Sequence, residues 1–238
     1  GVGPLFTPEG KACTKAIADY AVSISVRDKR SREILLDLGI PGEKIKVTPD
    51  AAFTLRDTFP PPHSDNNIRP SPTVIGVALR NWNVGVDPGY WENEVAASLD
   101  DFLEHHAEAH IEFIPFQNVE EELLDDTGIS RRILSKMVHH DQARVADQAK
   151  NVLENYAKIA ACDLVLGMRL HSLIFAVNNN IPVIGLIYDP KVKNLFQEIG
   201  LEDYMIDIHS LDRRELTRIL EHSCSNYVPL SKMIEQKG

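Results

Sequence analysis

Four short apolar runs, TVIGVAL (73–79), IEFIPF (111–116), DLVLG (163–167) and PVIGLIY (182–188), are separated by segments of helical length. They constrain the fold more than any other feature. Runs this short and this uniformly apolar read as strands buried on both faces. Residues 90–106, LHSLIFAVNN (170–179) and PKVKNLFQEIG (190–200) read as the intervening helices, the last with Pro190 in its first turn and Gly200 as its stop. Residues 141–160 read as further helical turns, and a final helix runs from about Asp212, a capping residue, to His222. Strands alternating with helices predict an α/β fold, a parallel sheet covered on both sides.

The N-terminal part repeats the pattern on a smaller scale. AVSISV (21–26) reads as a strand, and RDKRSREILLDLGI as a short helix with apolar Ile34, Leu35 and Leu38 and Gly39 just past its end. KIKVTPDAAF (44–53) reads as a strand running into a turn. FPPPHSDNNIRPSP (59–72) carries five prolines in fourteen residues and reads as a linker. The expected division is therefore 1–58, a linker over 59–72, and a larger α/β unit over 73–238. The opening GVGPLFTPEG lacks Met and reads as loop, so a piece of a longer protein is expected.

The chain of 238 residues has room for one large or two small domains. A net charge of −10 argues against a general nucleic-acid binder and leaves room for a local anion pocket. Cys13, Cys162 and Cys224 are odd in number and have no metal or redox spacing, which favours a reducing, cytoplasmic setting. No apolar run approaches the ~20 residues of a membrane span. His105, His106 and His110 contain an i, i+4 pair, but no His-Glu-x-x-His pattern, so they read as surface histidines and no metal is expected. No Gly-x-Gly-x-x-Gly follows a strand, which disfavours a dinucleotide site. The acidic NVEEELLDDTG (118–128) reads as a solvated face or a helix start.

In open parallel sheets ligands bind beyond the carboxyl ends of the strands. Arg80 follows TVIGVAL, Arg169 and His171 follow DLVLG, and Lys191 follows PVIGLIY. Each alone is as well explained as a cap or a carboxylate partner. Together they place several cations on one rim of an acidic protein, two of them at helix N-termini that already favour anions. That combination points to a small, highly anionic ligand. Trp82 and Trp91 flank the loop after Arg80, where loop packing competes with stacking on a sugar ring.

GMRLHSLIFAV followed by IPVIGLIYDPKV resembles the polysaccharide pyruvyl transferase family, notably the bacterial enzymes that pyruvylate cell-wall polymers anchoring surface-layer proteins. VSISVRDKRSREILLDLGI, IKVTPDAAF and GVALRNW are similar to further segments of the same family. The resemblance implies a GT-B-like pair of Rossmann-type domains. Residues 1–58 are then the end of the first domain and 73–238 the second, donor-binding one. It implies transfer of pyruvyl from phosphoenolpyruvate to two hydroxyls of a lipid-linked cell-wall saccharide, with N-acetylmannosamine as the acceptor sugar, forming a cyclic ketal. It implies no metal or organic cofactor, no nucleic acid, and peripheral membrane contact through the acceptor.

Guanidinium groups match both anionic groups of phosphoenolpyruvate in a bidentate way. Arg169, Lys191, Arg80 and Arg27 are accordingly expected to bind the donor, and His171 to act as general acid. A helix N-terminus disfavours imidazolium, so a bound anion would have to keep His171 protonated. Two alternatives share these residues: a GT-B nucleotide-sugar glycosyltransferase, and an inactive donor-binding fragment.

Overall fold

The computed structural model describes residues 2–3, 5–59, 74–117 and 125–236. From residue 60 on, the proline-rich segment lies outside the described residues, as does 118–124 of the acidic run. The chain divides into two compact units, Gly1–Phe53 and Thr54–Gly238.

In the first unit, α1 (Pro8–Tyr20) starts at Thr7, whose hydroxyl accepts from the Gly10 N–H at 3.0 Å. β1 (Ile24–Val26), α2 (Lys29–Asp37) and β2 (Ile45–Val47) follow, with β1 and β2 parallel and Val26 opposite Val47. Asp28 caps α2 by accepting from the Ser31 N–H at 2.7 Å, and Gly39 ends it at φ 82°. Ala18, Val26, Leu35, Ile40 and Ile45 form the small core. The strand–helix–strand order agrees with the sequence reading. α1 is additional: its Ile17 and Tyr20 are exposed, so it shows no apolar stripe turned to a core.

The second unit holds α3 (Leu55–Thr58), β3 (Val74–Ala78), α4 (Pro88–His105), β4 (His110–Phe113), α5 (Asp126–Lys136), β5 (Ala143–Val145), α6 (Val152–Ala160) and β6 (Leu164–Gly167). It continues with α7 (Leu170–Asn178), β7 (Val183–Ile187), α8 (Pro190–Ile199), β8 (Met205–Asp207), α9 (Arg213–Ser225) and α10 (Tyr227–Glu235). The sheet has six strands in the order β5-β4-β3-β6-β7-β8, every pair parallel. Beginning at β3, the chain adds two strands on one side, then returns to the other side of β3 for the remaining three. This is the doubly wound Rossmann-type arrangement, with its reversal between β3 and β6.

The central strands are apolar because both faces are covered. Ile75, Val77, Leu164, Leu166, Ile184 and Leu186 are at most 1% exposed. Each such side chain contributes roughly 1.5–3 kcal/mol on burial. α4 packs against α5 and α9, and α7 against α6, α8 and α10, giving two helical layers. α4 buries Trp91, Val95, Leu99 and Phe102 at helical spacing, while α7 is buried from Ser172 to Asn178.

The short edge strands β5 and β8 escape the sequence reading. Each is three residues long and paired on one side only, so neither carries a continuous apolar run. α10 escapes it as well, and of α5 only the start is read, as the helix-start alternative for the acidic run 118–128. α5 has Gly128 near its start and buries few apolar side chains, chiefly Ile129 and Ile133, and α10 has Pro229 in its first turn.

Candidate functional site

The strand order reverses between β3 and β6, with α4 in one helical layer and α7 in the other, and in open α/β sheets ligands bind in a crevice beyond the carboxyl ends of the strands at such a point. The two ends are stitched together: the Met168 and Arg169 N–H groups both point to the Ala78 carbonyl, at 2.8 and 3.4 Å. Arg80, Arg169, His171 and Lys191 all follow the ends of three adjacent strands, β3, β6 and β7.

Their states differ. Arg80 is held by aromatic rings. Its guanidinium carbon lies 5.4 Å from the Trp82 ring centre and 5.3 Å from that of Tyr188, and Nη1 donates to the Tyr188 hydroxyl at 3.3 Å. The two rings are themselves 4.8 Å apart. Such cation–π contacts fix the plane of the guanidinium without neutralising it. Arg80 Nε is buried with no hydrogen-bond partner among the described residues.

Arg169 is held by a carboxylate. Its Nε donates to Asp126 Oδ2 at 3.0 Å and its Nη2 to Oδ1. Asp126 is fully buried in the first turn of α5, and its Oδ2 also accepts from the Phe116 and Gln117 N–H groups at 3.1 and 2.9 Å. Burial holds the Asp126 carboxyl above its ordinary range, with Arg169 and the two backbone donors only partly offsetting it.

His171 lies in the first turn of α7 with its ring exposed, 6.3 Å from the ring centre of Phe175 one turn on. α7 starts at Arg169 without a side-chain cap. The other helices from α4 to α9 start with Asp87, Asp125, Asn151, Asp189 and Asp212, each of which caps its helix. Lys191 is exposed in the first turn of α8, where its backbone N–H donates to Asp189 at 2.8 Å. Arg27 belongs to the first unit and pairs there with Asp50, Nη1 to Oδ2, at 2.6 Å.

Sequence reasoning missed the buried role of Asp126, concealed in an acidic run that reads as a solvated face or a helix start, and the role of Tyr188 as a ring under Arg80. It also missed a pair at the end of β8, where His209 Nδ1 lies 2.8 Å from Asp207. Burial raises the Asp207 carboxyl, but the His209 N–H and ring outweigh it and leave Asp207 below the usual range. Trp91 is fully buried and donates to the Trp82 carbonyl at 3.1 Å, so of the two tryptophans Trp82 alone faces the rim. His106 stacks on Phe102 and lies 2.8 Å from Glu221. Among the described residues no group of His, Cys, Asp or Glu could hold a metal, and no helix is long and apolar enough to cross a membrane. A hollow of ≈ 350 Å³ lies at the opposite, amino edge of the sheet, but its Glu112 and Arg144 satisfy each other at 2.9 Å.

Comparison with solved structures shows the same fold class. The chain superposes with a TM-score of 0.61 on S. aureus MnaA bound to UDP, at 16% identity over 93% of this chain and 57% of that one. It superposes equally, at 0.61, on the UDP-GlcNAc 2-epimerase of Methanocaldococcus jannaschii, at 14% identity over 86% of this chain and 54% of that one. The fold is thus α/β and GT-B-like. In sequence, the chain is 22% identical to the amylovoran biosynthesis protein AmsJ of Erwinia amylovora over 98% of its own length. It spans 58% of that protein. Residues 1–190, which carry the crevice motifs through Arg169, His171 and Asp189, match the family model, and the chain belongs to the polysaccharide pyruvyl transferase family.

Proposed function

We propose that the crevice between β3 and β6 binds phosphoenolpyruvate and directs its pyruvyl carbons to two hydroxyls of a saccharide. One observation carries the reading. At the reversal point an uncapped helix N-terminus, preceded by the anchored Arg169 and presenting His171, adjoins the ring-held Arg80. Two oriented guanidinium groups suit a ligand with two anionic groups. The helix N-terminus adds donors for one of them. Lys191, one strand further along, adds a mobile charge.

Ketal formation needs a proton on the methylene carbon and charge stabilisation at the adjacent carbon. His171 supplies the proton. One sugar hydroxyl adds to that carbon, phosphate departs with its bridging oxygen, and the second hydroxyl closes the ring. Of the two hydroxyl protons, one replaces that given by His171 and the other leaves on phosphate, so atoms and charge balance without an oxidant. Arg27, with its partner Asp50, belongs to the proposed donor set by sequence resemblance. The lipid-linked acceptor bearing N-acetylmannosamine and peripheral membrane contact rest on the same ground, the cytoplasmic setting on the unpaired cysteines, and the division at 58 and 73 on the linker composition.

Thermal shift tests the donor. Phosphoenolpyruvate is expected to raise the melting temperature and uridine nucleotides to leave it unchanged. The reverse would favour a nucleotide-sugar transferase. His171→Gln should keep the phosphoenolpyruvate shift and lose about 10²–10⁴-fold in pyruvyl transfer. Near-wild-type transfer by that variant would remove the acid role.

A further inference from the structure

Resting on that reading, we propose that Asp126 is the positioning residue for Arg169, setting which edge of its guanidinium meets the donor anion. Asp126 is 0% exposed and cannot touch a ligand. Capping does not explain it either, because the neighbouring Asp125 already caps α5 by accepting from the Gly128 N–H at 2.9 Å. Its carboxylate has four donors instead: two backbone N–H groups after β4 and two N–H groups of Arg169 after β6. β4 and β6 flank β3, so the carboxylate spans the end of the strand that leads to Arg80.

The guanidinium is planar, with five N–H groups in fixed directions. Asp126 occupies the Nε/Nη2 edge. The Nη1/Nη2 edge is then turned away from it and is the edge left for an anion. Arg169 retains 15% side-chain exposure, whereas Asp126 has none. Because the pair is neutral as a whole, its contribution to donor binding lies in direction and not in net charge.

The sign of the effect separates this from a simple counterweight. If Asp126 only offsets charge, removing that charge would tighten every anion. If it orients Arg169, the loss falls on the ligand that needs two anionic groups placed at once. Isothermal calorimetry on the whole chain, with phosphoenolpyruvate and with inorganic phosphate, reads the difference. Asp126→Asn is expected to weaken phosphoenolpyruvate about tenfold or more and to leave phosphate within roughly threefold. Asp126→Glu keeps the charge but shifts the carboxylate by one methylene. It should weaken phosphoenolpyruvate by at least about threefold while the chain keeps a cooperative melting transition. The Glu variant decides if the Asn variant does not fold. Phosphoenolpyruvate affinity equal to or tighter than wild type in the folded Glu variant overturns the proposal and leaves the donor reading intact. Should wild type not bind phosphoenolpyruvate at all, the donor reading fails, and the Arg169 Nε–H resonance decides positioning by itself. Slow exchange in wild type that is lost in Asp126→Asn supports it, and an unchanged signal overturns it.

Discussion

Two arginines on adjacent strand ends are immobilised by opposite means, Arg80 by the rings of Trp82 and Tyr188, Arg169 by the buried Asp126. The first keeps its full charge, while the second surrenders it and gains a fixed plane. Breaking a buried pair of this kind costs on the order of 3–5 kcal/mol, since the remaining charge is left unpaired. Burial acts on the thiols in the same direction as on Asp126. It pushes Cys162 and Cys224 up to about 12, whereas Cys13 is exposed on α1. At pH 8 a thiol reagent should therefore label one equivalent in the native chain and three in guanidinium, because the thiolate is the reacting form. Rapid labelling of two or three native thiols would contradict this burial. Arg169 and His171 are legible in the sequence because Gly-Met-Arg-Leu-His follows an unmistakable buried strand. Asp126 is not, because only the folding of the β4–α5 connection against β6 decides which acidic residue of the run is taken inside.

At the level of elements, the buried strands β3, β6 and β7 are read from sequence within a residue or two, since both faces impose apolarity. Edge strands β5 and β8 answer to one neighbour only and leave no such trace. Helix contacts are also decided by partners distant in sequence. Asp101 on α4 accepts from Arg213 Nε at 2.5 Å, and Glu94 accepts from the Arg213 backbone N–H at 2.7 Å, clasping the start of α9. The Arg213 hydrogen bonds hold the Asp101 carboxyl below its usual range. A carboxyl whose folded pKa is depressed contributes stability above its unfolded value near ~3.9 and loses it as pH falls through the folded value. Asp101→Asn should accordingly lower the melting temperature by about 1–3 °C at pH 7, the weight of an exposed pair. The gap should close as pH falls through the lowered folded value, where Asp101 in the wild type takes up its proton. A gap that persists there would show the loss to be steric. Calorimetric scans from pH 3 to 7 make the comparison.

For the molecule as a whole, acidic composition and a rim of cations coexist because the charges are segregated. The net value of −10 describes the body and the crevice follows its own arithmetic. The order of strands was legible as a class, parallel and covered, but the reversal at β3 was not, since it depends on which side of β3 the later strands choose. Exposed apolar side chains tell a different story in the first unit. Phe6, Ile17, Tyr20 and Val22 are 87, 69, 92 and 93% exposed. The chain should therefore self-associate at tens of micromolar, read as a mass by light scattering above that of one chain, and Ile17→Lys with Tyr20→Lys should restore the single-chain mass. A single-chain mass for the unaltered protein at that concentration would show this face to be harmless.

The paired strands of that unit carry one more implication. Among the described residues β1 and β2 pair only with each other, so each presents an outer row of main-chain donors and acceptors. A parallel ribbon of two strands is a template: any extended segment of suitable pitch can extend the ladder from either border. A polypeptide that does so would complete the sheet of this smaller unit and cover its open borders.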